Sequence, residues 1–244
     1  MPVDDTILAA LILAAALLYS SVGHAGASGY LAVMAFMGVA PGVMRPVALL
    51  LNVLVALVAT AKFYRAGAFS WPLFWPFALT SVPLAYLGGS LTLPGSVYKP
   101  VVGAVLIAAA WRALRSAQHR ALCTPPPLPL LLLAGAALGF LSGLTGVGGG
   151  IFLSPLLLFF GWAEVKVISG IAAAFILVNS IAGFLGGLAS VPPLPPGLPL
   201  WAVAAVAGGF LGAEYGSKRL GNPAIRRLLA LVLAIAGVKM MVTA

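Results

Sequence analysis

A succession of long apolar runs, with nearly every charged residue confined to the gaps between them, is the feature that most restricts this chain. The runs occupy residues 7–19, 28–38, 46–63, 72–91, 98–114, 128–141, 150–161, 165–188, 199–215 and 224–242. A helix that crosses a bilayer needs about 20 predominantly apolar residues, and the longer runs meet that length. Of the 244 residues, 62% are hydrophobic and only 7% charged, so little polar surface exists for a water-soluble fold. The sequence reads as an all-α polytopic membrane protein. A transmembrane barrel is excluded, because its strands would alternate apolar and polar residues. Thirteen Lys and Arg against four Asp and Glu give a formal charge of +9. In a soluble protein that would suggest nucleic acid, but such proteins spread their charge over a polar face. The expected surroundings are a lipid bilayer, with no nucleic-acid partner.

The single Cys123 excludes a disulfide framework within the chain and a thiolate metal cage. Two His and four acidic residues leave little for hydrolytic chemistry, so no catalytic residues, metal or cofactor are expected. The run at 7–19 has the length of a signal-peptide core, yet Asp4 and Asp5 stand where such a peptide carries positive charge. It reads as a retained first membrane segment.

The segment RALRSAQHRALCTPPPLP, basic and then proline-rich, divides the chain. Consecutive prolines cannot continue a helix. The division gives an N-terminal repeat at 1–117, a cytoplasmic connector at 118–127 and a C-terminal repeat at 128–244. GHAGASGYLAVMAFMG in the first half corresponds to GVGGGIFLSPLLLFFG in the second, pairing Gly23 with Gly146, 123 positions on. Further along the separation becomes 127, pairing Asn52 with Asn179, Pro72 with Pro199 and Gly89 with Gly216. The added four residues are about one helical turn. Two glycine-rich segments can also look alike by composition alone, so the charges are the independent test.

Cytoplasmic loops collect Lys and Arg. Lys62 and Arg65 follow the third run, whereas the corresponding stretch at 190–199 has no charge. Lys218, Arg219, Arg226 and Arg227 follow the ninth run, whereas its first-half counterpart has only Lys99. Arg112, Arg115 and Arg120 lie at the connector, and nothing charged follows Lys239. Basic loops in one half match neutral loops in the other, which predicts halves inserted in opposite orientations. The first two runs of each half are too short for the roughly 30 Å hydrocarbon core. At 1.5 Å per residue, 7–19 would reach about 20 Å and 28–38 about 16 Å. Each half is therefore predicted to hold a short or re-entrant helical hairpin, interrupted by glycines, followed by three full spans. Inverted repeats with interrupted helices are a common transporter plan.

SVGHAGASGY and SGLTGVGGG are the segments most able to carry function. Glycines permit positive φ and close approach of other groups. Each segment leads straight into a helix, whose free amides and partial positive charge can hold an anion without Lys or Arg. Small residues also serve plain helix packing, so each motif alone has a structural reading. Paired across two halves, they mark a candidate substrate site. Its predicted members are Gly23, His24, Ala25, Gly26 and Ser28 from the first motif, Thr145, Gly146, Gly148, Gly149 and Gly150 from the second, and the apolar-run amides Asn52 and Asn179. His24 can carry a proton or pair with an anion, or simply bond a neighbouring carbonyl. Ser142 adds a hydroxyl beside the second motif. Glu214 and Lys218, at i and i+4, are placed to form an interfacial pair. Trp71, Trp111, Trp162 and Trp201 stand near run ends and read as interface anchors.

The paired motifs, GHAGASGYLAVMAFMGVAP and GVGGGIFLSPLLLFFGWAEVK, resemble those of the TauE/SafE family of sulfite exporters. The likeness spans nearly the whole chain. Gly146, Gly148, Gly149, Gly150 and Pro155 fit the family pattern, while Ala25, Ala27 and Ala32 depart from it. The resemblance implies an inner-membrane secondary transporter that exports a small sulfur-containing anion, such as sulfite, sulfoacetate or a related organosulfonate, by alternating access. An anion channel, or a membrane enzyme or scaffold of sulfur metabolism, would be the competing classes. The absence of a nucleotide-binding motif argues against ATP coupling within the chain. With no Lys or Arg inside either glycine motif, a singly charged anion is the expected cargo. The oligomeric state is left open.

Overall fold

A computed structural model of the chain describes residues 4–91, 107, 111 and 127–242. The run at 98–114 except for two residues, Lys99, Cys123, most of the connector, its arginines and the last residues lie outside this description. Among the described residues the structure is helical, with no strand. The first half supplies α1 (Asp5–Ser20), α2 (Ala27–Phe36), α3 (Pro41–Arg65) and α4 (Trp71–Ser90). The second supplies α5 (Leu128–Thr145), α6 (Gly150–Phe160), α7 (Val165–Gly187), α8 (Leu198–Glu214) and α9 (Asn222–Val242). A π-helical turn, Tyr215–Arg219, closes α8.

The segments 42–65, 128–145, 165–190 and 198–219 are helices long and apolar enough to cross a membrane. As expected, α1, α2 and α6 are shorter, at 16, 10 and 11 residues. Local chemistry sets their ends. The Asp4 carboxylate accepts from the Thr6 and Ile7 amides at 3.0 and 3.2 Å and caps α1, which is worth about 1 kcal/mol. Gly161, at φ 66°, ends α6 in a left-handed cap.

Two boundaries differ from the sequence expectation by a helical turn or more: α3 begins at Pro41 rather than at 46, and the first helix of the second half is longer. The second half's first helix was expected over 128–141 and instead continues to Thr145. Gly139, inside the expected run, and Gly143, in the SGLTGVGGG segment beyond it, are both helical and face another backbone. A Cβ on Gly139 would overlap the Ser81 carbonyl oxygen, and one on Gly143 the Ala85 carbonyl oxygen. Gly135 meets Phe77 in the same way, so glycines four residues apart let α5 lie directly on α4. In lipid, where burial of apolar groups drives nothing, such close backbone packing is what holds helices together. Gly208, Gly212 and Gly216 repeat the device, meeting the Leu13, Leu17 and Ser21 carbonyls along α1.

These contacts fix directions. Both α1 with α8 and α4 with α5 run parallel as pairs, since residue numbers rise together along each seam. Asp5 lies against Gly197, so α1 and α8 begin at one end of the molecule. Lys62, near the end of α3, and Lys218, after α8, share the Glu214 carboxylate, with the Lys218 ammonium 2.6 Å away. The expected Glu214–Lys218 pair thus extends to a third partner on α3, and Lys62 also sits 3.7 Å from the Phe210 ring centroid. Gly170, in the first turns of α7, meets the Ala68 carbonyl just beyond α3, so α7 starts at this same basic end. Asn222 donates to Glu164 at 3.4 Å, which brings the start of α9 there too. Hence α1, α3 and α8 run from the acidic end, carrying Asp4 and Asp5, to the basic end. The helices α4, α5 and α7 run the other way.

The outer surface is apolar: Leu79, Leu133, Val203 and Leu211 are each more than half exposed. Trp71 and Trp111 are exposed as interface anchors would be, and Trp162 stacks on Phe160 at 4.7 Å. Trp201 is a correction. It is 2% exposed and sits in the core with Leu8, Ile12 and Leu51, because α8 turns this face toward α1 and α3.

Candidate functional site

Left-handed glycines build both interrupted segments. In the first loop Gly23 and Gly26 have φ of 78° and 107°; in the second Gly146, Gly148 and Gly149 have 72°, 82° and 77°. Residues with a Cβ rarely adopt these angles. Gly26 and Gly149 are the caps of α2 and α6, and neither helix receives a side-chain cap. The first amides of each helix have no acceptor within the helix and carry its partial positive charge. Both helix starts are buried: Ala27, Ser28 and Ile151 are each 2% exposed.

The fold brings the two loops together. His24 Nε2, from the first loop, lies 3.1 Å from the Gly150 carbonyl oxygen and 3.3 Å from Ser154 Oγ, both on α6. The carbonyl accepts only from a protonated Nε2, which assigns that tautomer. Asn52 on α3 reaches the second loop, donating through Nδ2 to the Val147 carbonyl at 3.3 Å and to Ser180 Oγ of α7 at 3.4 Å. Ser142 packs against Gly149, and a Cβ on Gly149 would stand 3.2 Å from its Oγ. Among the polar atoms buried here without a hydrogen-bond partner, besides His24 Nδ1, are Ser142 Oγ, Asn52 Oδ1 and Asn179 Oδ1. All three residues are fully buried. Such orphaned groups cost roughly 1–3 kcal/mol each, and functional sites are where that cost is tolerated.

Other members of the expected set have local jobs. Thr145 Oγ1 accepts from the Val147 amide and donates to the Ser142 carbonyl, holding the second loop's own turn. Asn179 Nδ2 donates to Phe175 on its own helix at 2.8 Å, so the two corresponding asparagines act differently. The Ala25 carbonyl accepts from the Tyr30 hydroxyl, and Ser28 is bonded to Tyr19. Gly23 stands against the Ser169 carbonyl, tying the first loop to α7.

Sequence reasoning missed Arg45. The apolar run begins at Pro46, which makes Arg45 look like one more boundary charge. In the fold its guanidinium donates to the Leu91, Gly88 and Gly89 carbonyls at 3.0, 3.3 and 2.7 Å, and to Gly143 at 2.6 Å. Its Cγ lies 2.8 Å from where a Cβ on Gly146 would be. The expectation that no Lys or Arg lies inside the motifs holds for the sequence, but a full positive charge stands beside the second loop in space. The Arg–Pro pair at 45–46, which the fold places inside α3 rather than at its start, was the available signal, without a hint of its neighbours.

The family model described as Sulfite exporter TauE/SafE matches residues 8–240. The chain belongs to this family. One relative, Probable membrane transporter protein y4hK of Sinorhizobium fredii, is 42% identical over 231 residues, covering 93% of this chain and 94% of the relative. No solved structure matches the chain closely enough for comparison. With its apolar helices, the TauE/SafE chain is a multi-pass membrane transporter.

For a TauE/SafE protein the tie between loops has a testable worth. His24→Ala removes the bond that joins the loops, while the Gly150 carbonyl keeps its place in the α6 ladder. A loss of about 0.5–1.5 kcal/mol is expected, read as a lower melting temperature in detergent, with anion flux reduced rather than abolished. Unchanged melting would mean that the His24–Gly150 bond does not hold the loops together.

Proposed function

We propose that this transporter exports a small, singly charged sulfur-containing anion, such as hydrogensulfite or a sulfonate, by alternating access between two oppositely inserted repeats. The repeats are 1–117 and 128–244, joined by a cytoplasmic connector at 118–127. The observation that carries this reading is the meeting of two glycine loops, each opening a buried short helix without a side-chain cap. The amides of Gly149, Gly150 and Gly26, with the hydroxyls of Ser142 and Ser28, would face the anion, while Asn52 and His24 brace the loops. Gly23, Ala25, Thr145, Gly146, Gly148 and Asn179 complete the site as backbone and packing members. The opposed directions of α1 and α5, α3 and α7, and α4 and α8 support two inverted halves. Their sequence correspondence at separations of 123 and 127 supports the same reading.

The two buried helix starts offer about half a positive charge each, about one in all, beside the hydroxyls, while the Arg45 guanidinium is held by four carbonyls to one side; this suits a monoanion at the loops and makes a dianion costly to bury. Export needs no further energy source: one negative charge leaving across 100 mV, inside negative, releases about 2.3 kcal/mol. The test is flux through purified protein in liposomes, comparing sulfite and the monoanion methanesulfonate with the dianions sulfoacetate, thiosulfate and sulfate over a range of pH. Sulfite loses its second proton near neutrality, so its flux should fall as pH rises on the binding side. A sulfonate of fixed single charge should show little of that fall. Equal pH sensitivity for both would place the titrating proton on the protein. Efficient, pH-independent carriage of sulfate would overturn the monoanion reading.

A further inference from the structure

At the acidic end, a cleft of about 270 Å³ opens between the start of α3 and the end of α7, and Arg45 lines its wall with Leu49, Gly183, Gly187 and Ser190. Leu49 is three residues before Asn52 on α3, and Gly183 three after Ser180 on α7. The floor of the cleft is therefore one helical turn from the Asn52–Ser180 contact that braces the second glycine loop. On the opposite wall the Arg45 stem covers Gly146 of that loop.

Three helices end around this cleft. The final turns of α4 and α5 give carbonyls to Arg45, and the last residue of α7, Gly187, lines the cleft itself. Helix C-termini carry partial negative charge, so without Arg45 the opening would favour cations. The other basic residues with described side chains, Lys62, Arg65, Lys166, Lys218, Arg219 and Arg227, belong to elements that end or begin at the basic end. Arg45 thus stands apart from the charges that set topology. Carbonyl dipoles fix its position without removing its charge.

We propose that this cleft is a second, outer anion site, a vestibule through which a small monoanion passes between the loop site and the acidic-end compartment, and that Arg45 sets its sign. The proposal rests on the anion-transport reading above and adds to it a site and a selectivity residue. The guanidinium also ties three backbone segments together, so charge and clamp must be separated. Arg45→Lys keeps the charge and loses the fork, whereas Arg45→Gln loses the charge.

The experiment needs no transported substrate. In full-length protein with Cys123 replaced by Ser, single cysteines are placed at Ser190 in the cleft and at Pro193, exposed nearby on the same end. Each is reacted with an anionic sulfonatoethyl and a cationic trimethylammonioethyl methanethiosulfonate. The anionic-to-cationic rate ratio is expected to be about five- to tenfold higher at 190 than at 193, and to shrink in high salt. Arg45→Gln should erase that excess and Arg45→Lys should keep most of it. Equal ratios at the two positions in otherwise unaltered protein would overturn the proposal, whether or not Arg45→Gln folds. So would an excess that survives Arg45→Gln. An intact ratio in protein that carries no sulfite would count against the transport reading alone.

Discussion

Gly149→Val is expected to abolish anion flux in protein that still inserts and purifies as a single species. Gly149 has a φ of 77°, and a Cβ there would stand 2.8 Å from Phe175 Cε1 and 3.0 Å from Ser142 Cβ. A side chain in the left-handed region costs about 1–2 kcal/mol. Overpacking a tight site adds about 1–3 kcal/mol, a total that many folded proteins survive. The functional loss is larger, because the new methyl groups grow over the first amides of α6 and displace Ser142. Gly149→Ala should show the same direction with a smaller loss. Gly161→Ala is the control: its φ is also positive, at 66°, but nothing lies within 4 Å of the added carbon. It should carry the backbone strain and keep the flux. Wild-type flux in Gly149→Val would reduce the second loop to a packing element.

The second large effect is on stability. Gly143→Leu should prevent recovery of monodisperse protein, because its Cβ would overlap the Ala85 carbonyl and stand 2.8 Å from the Gly89 amide nitrogen. No rotamer relieves a clash that begins at Cβ, so α5 must leave α4 and take the second loop with it. A cost above about 4 kcal/mol is expected for such a core disruption. Gly42→Ala offers the contrast, since that helical glycine faces open space and gains up to about 1 kcal/mol of helix propensity. Thermal unfolding in detergent, followed by size exclusion, separates the two. Comparable melting for Gly143→Leu and Gly42→Ala would mean that the α4–α5 seam is not a backbone contact.

Most of the helices were legible because lipid imposes a simple rule: the chain must be apolar where it crosses and polar where it turns. The glycine loops were legible too, since Gly148, Gly149 and Gly26 occupy backbone angles that other residues rarely adopt. What escaped depends on neighbours. Gly143 belongs by sequence to the SGLTGVGGG segment until the α4 backbone is beside it, and so the expected end of α5 falls four residues early. Trp201 looks like an interface anchor until α8 is seen lying along α1. Arg45 looks like a boundary charge until the fold delivers the carbonyls of α4 and α5 to it. Asn52 and Asn179 match in sequence, yet only Asn52 meets the other half's loop, because hydrogen-bond partners are set by packing rather than by position in a repeat.

The inverted arrangement proposed for the two halves would bring both loops to one place, and one pair of positions tests it directly. Ala66, after α3, and Pro193, after α7, are exposed and correspond at the separation of 127. In protein with Cys123 replaced by Ser, single cysteines at 66 and 193 are labelled in intact cells with a membrane-impermeant thiol reagent. Labelling at 193 and protection at 66, reversed for 66 once the membrane is opened, is the expected result. Equal labelling of both positions from outside would place corresponding loops on the same face and contradict the proposed inverted arrangement, and with it the proposal of a shared anion site.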